Sequence, residues 1–164
     1  MQLIAAADAR WGIGKDGKLL VSIPADMKFF QTTTTGHTVI MGRKTLESFP
    51  GKKPLKNRRN IVLSRQKNLA IPGALIASGV DEVLDMIAGS DPDGVFCIGG
   101  AEIYRLFLPY CDKALITRID HIYDADAFLP DLDRDNKWKK ISESEEQFFF
   151  DLTYHFCTYR RQEG

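Results

Sequence analysis

Apolar runs of strand length alternate with short helical patterns along most of the chain. The strand-like runs are LIAAAD (3–8), TVIMG (38–42), NIVLS (60–64), ALIAS (74–78), GVFCIGG (94–100) and KALITRID (113–120). The helical patterns predict helices over residues 24–35, 43–49, 79–89 and 101–109. Because strands joined by helices run parallel, the alternation predicts an α/β fold: a mostly parallel mixed central β-sheet with helices on both faces.

Two segments depart from this alternation. The last part, WKKIS and then EQFFFDLTYHFCTYRRQ, leaves no room for crossover helices and predicts an antiparallel C-terminal hairpin. Residues 9–22, ARWGIGKDGKLLVS, are rich in glycine and have no clear period, so we expect a long mobile loop of the kind that is often functional. The length of 164 residues favours a single domain over 1–164.

The charges, cysteines and histidines disfavour several classes of protein. Lys+Arg and Asp+Glu both number 22, so the chain lacks the basic excess typical of proteins that bind nucleic acid phosphates. Cys97, Cys111 and Cys157 form no CxxC pair, and the three histidines are scattered, so we expect neither a disulfide framework nor a metal site. No apolar run reaches the ~18 residues of a membrane helix, and the N-terminus lacks a signal-peptide pattern. We therefore expect no membrane partner and a cytoplasmic location.

Three strand ends carry glycine or cationic residues, at the edge where α/β sheets bind ligands. The runs VIMGRKT and CIGGAEIY lead through glycine into helices, whose free N–H groups attract phosphate. Arg43 and Lys44 follow the first glycine, and Ser64 and Arg65 end the strand in VLSRQK. The chain has neither GxxxxGK[ST] nor GxGxxG, which disfavours ATPase chemistry and the ordinary dinucleotide fingerprint. Cations at this edge would suit the 2′-phosphate of NADP. Alternatively, the glycines only form turns and the cations are solvated surface residues.

Asp26 stands in the apolar segment SIPADMKFF (22–30). Pro24 suits the first position of a helix, and an acid in the first turn complements the helix dipole, so a helix start explains Asp26 by itself. A catalytic acid is the alternative, although helix starts are far commoner than catalytic acids.

The segments LIAAAD…WGIG, IPADMKFF, VIMGRKTLES, NIVLS, IGGAEIYRLFLP and LITRID occur in the order and spacing of the dihydrofolate reductase family. The chain resembles this family from Leu3 to the C-terminal hairpin. The resemblance implies an oxidoreductase that uses NADPH to reduce 7,8-dihydrofolate to 5,6,7,8-tetrahydrofolate, for one-carbon metabolism and for thymidylate, purine and amino-acid synthesis. It also implies a monomer, binding of antifolate inhibitors, and a cis bond between Gly99 and Gly100.

By the same resemblance, Asp26 and Thr117 are the catalytic residues. The Asp26 carboxylate would accept two parallel N–H groups of the pterin ring, and the Thr117 hydroxyl would hold its rotamer. Hydride addition to C6 is easier when N5 is protonated, and we expect a water to deliver that proton while Asp26 sets the field. Arg58 would pair with the α-carboxylate of the glutamate tail. The implied substrate-binding residues are Ile4, Ala5, Asp26, Met27, Phe30, Phe49, Leu55, Arg58, Ile98, Tyr104 and Thr117.

The resemblance also implies how NADPH is bound. Backbone groups of Ala6 and Ile13 would meet the nicotinamide carboxamide, and the 9–22 loop would close over the ring. The cations at the strand ends, with Ser64, would surround the 2′-phosphate. The implied cofactor-binding residues are Ala6, Ile13, Gly14, Leu19, Gly42, Arg43, Lys44, Thr45, Leu63, Ser64, Arg65, Ile98, Gly99, Gly100, Ala101, Glu102, Ile103 and Tyr104.

Two positions depart from the family pattern. Val21 stands where many members have a tryptophan five residues before the acid, and that tryptophan would orient a water near the pterin. Trp11 belongs to the WGIG segment and is not expected to replace that tryptophan. Glu102 stands where some members have a basic residue near the cofactor phosphates, so the preference for NADP would rest more on the cations at the strand ends.

Three other functions remain open on the sequence alone. A pyrimidine-reducing enzyme of riboflavin synthesis would share the fold, but would not bind antifolate diaminopyrimidines tightly. A nucleotide-binding module without chemistry would function with Asp26 replaced by Asn. An RNA-binding role based on KNRRN (56–60) would show a steep dependence of affinity on salt.

Overall fold

The computed structural model describes residues 1–163, so Gly164, the last residue of the expected domain, lies outside the described residues. The strands are β1 Gln2–Ala7, β2 Gly12–Lys15, β3 Lys18–Leu19, β4 Thr38–Gly42, β5 Arg59–Leu63, β6 Ala74–Ala77, β7 Val95–Cys97, β8 Lys113–Ile119, β9 Ala127–Phe128, β10 Trp138–Glu143, β11 Gln147–Phe149 and β12 Leu152–Arg161. The helices are α1 Pro24–Thr34, α2 Arg43–Glu47, α3 Val80–Ile87 and α4 Ala101–Phe107.

Nine strands form one large sheet, in the order β10–β12–β8–β1–β7–β4–β5–β6, with β11 paired to β12. β1 runs parallel to β7 and β8, β4 runs parallel to β5 and β7, and β5 runs parallel to β6. β12 runs antiparallel to β8, β10 and β11. The expected mixed, mostly parallel sheet and its antiparallel C-terminal hairpin are thus confirmed.

Alternate residues of the central strands face two apolar clusters, one on each side of the sheet. One cluster joins the sheet to α3 and α4 through Leu3, Ile40, Ile61, Cys97, Val83 and Phe107. The other joins the sheet to α1 and α2 through Ile4, Val39, Met41, Val62, Phe30 and Leu46. Helices therefore cover both faces, as the alternation of strands and helices predicted.

The segment 9–22 is not the irregular loop that its composition suggested, and that prediction was wrong. β2 and β3 form an antiparallel hairpin in which Gly14 pairs with Leu19, and β9 adds a third strand to this small sheet. Asp16 and Gly17 both have positive φ, 52° and 77°, as a type I′ hairpin turn requires. The pair Asp-Gly is a hairpin signal, but strands of four and two residues are too short to show an alternating pattern.

The parallel strands place their carboxyl ends along one edge of the large sheet. Gly42 ends β4, Leu63 ends β5, and Ile98 follows β7, so the segments expected to bind ligands are neighbours there. Within residues 1–163, no helix is long and apolar enough to cross a membrane. The same residues contain no group of three or more His, Cys, Asp or Glu placed to hold a metal ion.

Candidate active site

Asp26 and Thr117 meet although 91 residues separate them in sequence. Asp26 lies in the first turn of α1, which begins at Pro24 as expected for a helix start. Thr117 is buried on β8, directly beside Ala6 of β1. The Thr117 hydroxyl donates a hydrogen bond of 2.6 Å to Oδ1 of Asp26. Helix and sheet together therefore fix the orientation of this carboxyl group.

Burial raises the pKa of Asp26 above its ordinary value of 3.8, and the hydrogen bond from Thr117 lowers it by a smaller amount. The surroundings disfavour the charged form by desolvation, while the hydroxyl favours that form. A carboxyl group in this balance exchanges its proton closer to neutral pH than a surface acid does. It is therefore suited to manage protons in a reaction.

Apolar side chains pack between the sheet and α1, whose first turn carries Asp26. Ile4, Ile98, Phe30, Phe49 and Leu55 belong to one cluster on the α1 and α2 side of the sheet. Met27 follows Asp26 on α1 and is 40% exposed. Ala5 is half-buried on β1, next to Ile4. These side chains can bury a flat heterocycle but offer it few polar groups other than Asp26 and backbone carbonyls.

Tyr104 of α4 reaches β1 close to Asp26. Its hydroxyl donates a hydrogen bond of 2.8 Å to the carbonyl of Ile4. Burial raises the pKa of Tyr104 well above its ordinary value, so the hydroxyl keeps its proton and remains a donor. A carbonyl oxygen has two lone pairs, so Ile4 can still accept a hydrogen bond from a ligand.

Arg58 is half-buried beside the last turn of α1, the end opposite Asp26, and burial lowers its pKa from the ordinary value. Its Nε donates to the carbonyl of Lys56 at 2.9 Å, and its Nη1 donates to the Thr34 hydroxyl at 3.3 Å. The Thr34 hydroxyl in turn donates to the carbonyl of Phe30 at 2.8 Å. The sequence reasoning missed Thr34, because nothing distinguishes it within the run TTTT (32–35).

The two glycine junctions lie side by side at the carboxyl edge of the sheet. The backbone N–H of Gly42 donates to the carbonyl of Gly99 at 2.9 Å. A Cβ at Gly42 would lie 3.1 Å from Ile103, and a Cβ at Gly99 would lie 2.8 Å from the Tyr104 ring. The bond between Gly99 and Gly100 is cis, as the resemblance implies. Side chains of α4 already fill the space beside Gly42 and Gly99, so a larger residue would have to displace them.

The cations expected around the 2′-phosphate gather beside these junctions. Arg43 donates to the side chain of Gln66 at 2.7 Å and pairs with Glu47 at 3.3 Å. The hydroxyl of Ser64 accepts a hydrogen bond from the backbone N–H of Gln66 at 3.1 Å. Sequence reasoning missed Gln66, although its place two residues after Ser64 could have indicated it. Arg65 and Lys44 are exposed.

The remaining expected cofactor residues divide between the carboxyl edge and the β2–β3 hairpin. Thr45, Leu63 and Ala101 are half-buried at the edge, and Glu102 is exposed in the first turn of α4. The hairpin carries Ile13, Gly14 and Leu19, of which Leu19 is 65% exposed.

Val21 follows the hairpin and packs against an apolar cluster of Ile23, Ile119 and Tyr154. Trp11 is buried in a different cluster, where its ring meets Tyr159 edge-to-face at 5.7 Å. The indole of Trp11 therefore does not occupy the place of the tryptophan that Val21 replaces, in agreement with the sequence analysis.

A family model described as dihydrofolate reductase matches residues 1–161. The chain belongs to the dihydrofolate reductase family. The Bacillus subtilis dihydrofolate reductase is 39% identical over 142 residues, which cover 87% of this chain and 82% of that relative. The Neisseria meningitidis serogroup B enzyme is 39% identical over 160 residues, 97% of this chain and 96% of that relative.

A solved dihydrofolate reductase structure from Enterococcus faecalis superposes with a TM-score of 0.86 at 31% identity. The match covers 99% of this chain and 96% of that one, so the dihydrofolate reductase fold extends over the described chain. That enzyme was solved in complex with NADP(H) and RAB-propyl.

Proposed function

We propose that this member of the dihydrofolate reductase family reduces 7,8-dihydrofolate to 5,6,7,8-tetrahydrofolate with NADPH, supplying one-carbon metabolism. The observation that carries the proposal is the hydrogen-bonded pair of Asp26 and Thr117 on α1 and β8, in a chain that matches the family along its length. A lone carboxyl group whose pKa is raised by burial is what protonation of a nearby imine needs.

Asp26 binds and orients the pterin ring in this proposal. Its two carboxylate oxygens accept the two parallel N–H groups of the ring, in a bidentate arrangement, while Thr117 holds the carboxyl group in place. Ile4 and Ile98 supply carbonyls at the other edge of the ring. A water delivers the proton to N5, and Asp26 sets the electrostatic field and the ring tautomer.

Apolar side chains and Arg58 bind the rest of the substrate. Met27, Phe30, Phe49 and Leu55 pack on the ring and its neighbouring groups, and exclude water from them. Arg58 pairs with the α-carboxylate of the glutamate tail. The Thr34 hydroxyl and the Lys56 carbonyl already hold its guanidinium, so little side-chain entropy is lost on binding.

The carboxyl edge of the sheet fits NADPH, because Gly100 is exposed there and a Cβ on it would approach the Thr45 hydroxyl only to 3.8 Å, which leaves room for a phosphate close to the backbone. When bound, NADPH supplies the hydride that is added to C6 of the substrate. Ala6 and Ile13 orient the nicotinamide through backbone groups. The 2′-phosphate is held by Ser64 and by Arg43, Lys44 and Arg65 beside it, a set that discriminates against NADH.

We also propose that residues 1–164 form one reductase domain that acts as a cytoplasmic monomer. All three cysteines are buried and unpaired, which suits a reducing compartment. Binding of antifolate diaminopyrimidines is expected, since their donor pattern matches the carboxylate of Asp26.

The test is dihydrofolate-dependent oxidation of NADPH and of NADH by the purified protein, with Asp26→Asn as the variant. Asp81→Asn is a matched control, because Asp81 is also an acid in the first turn of a helix. We expect rapid oxidation of NADPH, slow oxidation of NADH, and a loss of about a hundredfold or more in Asp26→Asn alone. Folded wild-type protein without dihydrofolate-dependent oxidation would contradict the proposal.

A further inference from the structure

Asp8 follows β1 and is completely buried. Its Oδ1 accepts hydrogen bonds from the backbone N–H of Arg10 at 2.9 Å and of Gly12 at 2.8 Å, and its Oδ2 accepts one from the N–H of Tyr123 at 2.9 Å. No ion pair found among residues 1–163 involves this carboxylate. Because a buried carboxylate is costly unless its oxygens are hydrogen-bonded, these three backbone groups and Asp8 hold one another in place.

The hydrogen bonds of Asp8 join two segments that are distant in sequence. Gly12 begins β2, and Tyr123 lies in the connection between β8 and β9. β2 and β9 pair with each other, and the N–H of Asp126 donates to the carbonyl of Gly14 at 2.9 Å. Asp8 therefore fixes the first residue of the β2–β3 hairpin relative to both β1 and the segment that supports the hairpin from the other side.

The packing around Gly12 leaves almost no freedom at this point. A Cβ on Gly12 would lie 2.6 Å from the Cβ of Ala125 and 3.0 Å from each oxygen of the Asp8 carboxylate. The backbone N–H of Asp8 also donates to the carbonyl of Gly12 at 2.9 Å. A shift of the carboxylate would therefore displace β2 as well, because there is no free space around Gly12.

Arg118 supports the same turn from the β8 side. Its Nη2 donates to the carbonyls of Asp8 at 3.3 Å and Ala9 at 3.4 Å, and its guanidinium lies 3.9 Å from the centre of the Trp11 ring. Arg118 is the next residue after Thr117, and successive residues of a strand face opposite sides. The turn is thus anchored on the back of the strand that holds the catalytic hydroxyl.

We propose that Asp8 is a positioning residue for hydride transfer: its carboxylate sets the position of β2, and thereby of Ile13 and Gly14, without touching cofactor or substrate. This inference rests on the proposed function, in which Ile13 meets the nicotinamide. The Asp8 carboxylate accepts from the backbone of residues 10, 12 and 123 and not from Asp26 or Thr117, so it acts on the cofactor half of the site and leaves the pterin half unchanged.

The test is Asp8→Asn, which keeps the size of the side chain but turns an N–H₂ group towards at least one backbone donor. We expect single-turnover hydride transfer to slow by about tenfold to a hundredfold, because small misplacements of reacting groups are costly. NADPH should bind more weakly, whereas the affinity for a diaminopyrimidine should stay within about twofold. The pH at which the rate titrates should not move, and amide hydrogen exchange should accelerate at Gly12 and Tyr123.

Two further variants test the inference: one changes the same contact at Gly12, and the other is a control in a distant turn. Gly12→Ala disturbs the contact between Asp8 and Gly12 without a change of charge. It should also slow hydride transfer and weaken NADPH binding while it leaves diaminopyrimidine binding unchanged, and it serves as the test if Asp8→Asn fails to fold. Asp91→Asn is the control, since the Asp91 side chain likewise accepts a backbone N–H, from Asp93 at 3.0 Å, in a distant turn. It should leave the rates unchanged.

Each outcome decides between a positioning and a merely structural role. A lower melting temperature with normal hydride transfer and normal NADPH affinity in the folded protein would overturn the inference. Equal weakening of NADPH and diaminopyrimidine binding would also overturn it. Inactive wild-type protein would instead contradict the proposed function, so the two failures are distinguishable.

Discussion

The hydroxyl of Thr117 lies 2.6 Å from Oδ1 of Asp26 and donates a hydrogen bond to it. This contact joins the first turn of α1 to the middle of the sheet. It holds the orientation of the carboxyl group, but it is the weaker of the two influences on the pKa of Asp26, since burial outweighs it. The first prediction follows from this opposition.

Thr117→Val should raise the pKa of Asp26 further. Valine has nearly the shape of threonine but cannot donate, so the carboxylate loses the interaction that favours its charged form. The pH profile of kcat/KM with dihydrofolate should shift to higher pH. Its plateau below the Asp26 pKa should fall by about tenfold, because the carboxyl group is no longer held in its orientation. Thr158→Val on the paired strand β12 is the control. A profile that stays in place, or moves to lower pH, would contradict the role of this hydroxyl.

Asp26→Asn should stabilise the fold at neutral pH. Because burial raises the pKa of Asp26 in the folded state, the folded state binds the proton more tightly than the unfolded chain. The stability that Asp26 contributes is therefore complete below its unfolded pKa and is lost as the pH rises through its folded pKa. The free energy of unfolding in urea should exceed that of wild type at neutral pH, and the excess should shrink on acidification. A variant less stable than wild type at neutral pH would show that the charged form is favoured by folding.

Substitution of Arg58, or of its hydrogen-bond partner Thr34, should weaken substrate binding without slowing hydride transfer. Arg58→Lys loses the bidentate geometry, so KM for dihydrofolate should rise by about tenfold or more. Thr34→Val should raise KM by a smaller factor, since it removes only the hydrogen bond to Nη1. Thr35→Val is a matched control. The Thr35 hydroxyl likewise donates to a carbonyl one turn earlier, that of Gln31, but Thr35 is exposed.

The comparison substrate for these variants is a dihydropterin without the glutamate tail. Its KM should be the same in wild type, Arg58→Lys and Thr34→Val. If its KM rises as much as that of dihydrofolate, Arg58 does not act on the tail carboxylate.

Arg65→Gln should reduce the preference for NADPH over NADH. Arg65 is exposed beside Ser64, so its charge is available to a phosphate, whereas Arg43 is already shared with Glu47 and Gln66. We expect kcat/KM for NADPH to fall by about tenfold while that for NADH hardly changes. Lys67→Gln, two residues further along, tests whether any positive charge in this loop has the same effect. A parallel loss with both cofactors would argue against contact with the 2′-phosphate.

The fold was largely predictable because its strands are buried on both faces and therefore read as apolar runs. Runs such as 38–42 and 60–64 differ from the observed strands by at most one residue at each end. The β2–β3 hairpin was not predicted, since its strands depend on pairing with β9, more than a hundred residues away. Burial of Trp11 against Tyr159 and Arg118 depends on similarly distant partners.

The candidate site was predictable mainly through the family resemblance. The sequence around Asp26 indicates a helix start, but nothing local indicates that Thr117 would reach it. The roles of Thr34 and Asp8 arise from contacts with Arg58 and Tyr123 that no spacing rule encodes. Hydrogen bonds of this kind are a property of the folded chain.

The most direct test of the central claim is the rate of hydride transfer from NADPH to dihydrofolate, measured in single turnovers across neutral pH for wild type and Asp26→Asn. We expect the wild-type rate to decline as the pH rises through the raised pKa of Asp26, because the proton becomes less available. The variant should be slower and should lack this titration. If Asp26→Asn keeps both the wild-type rate and its pH dependence, Asp26 is not the group that manages the proton.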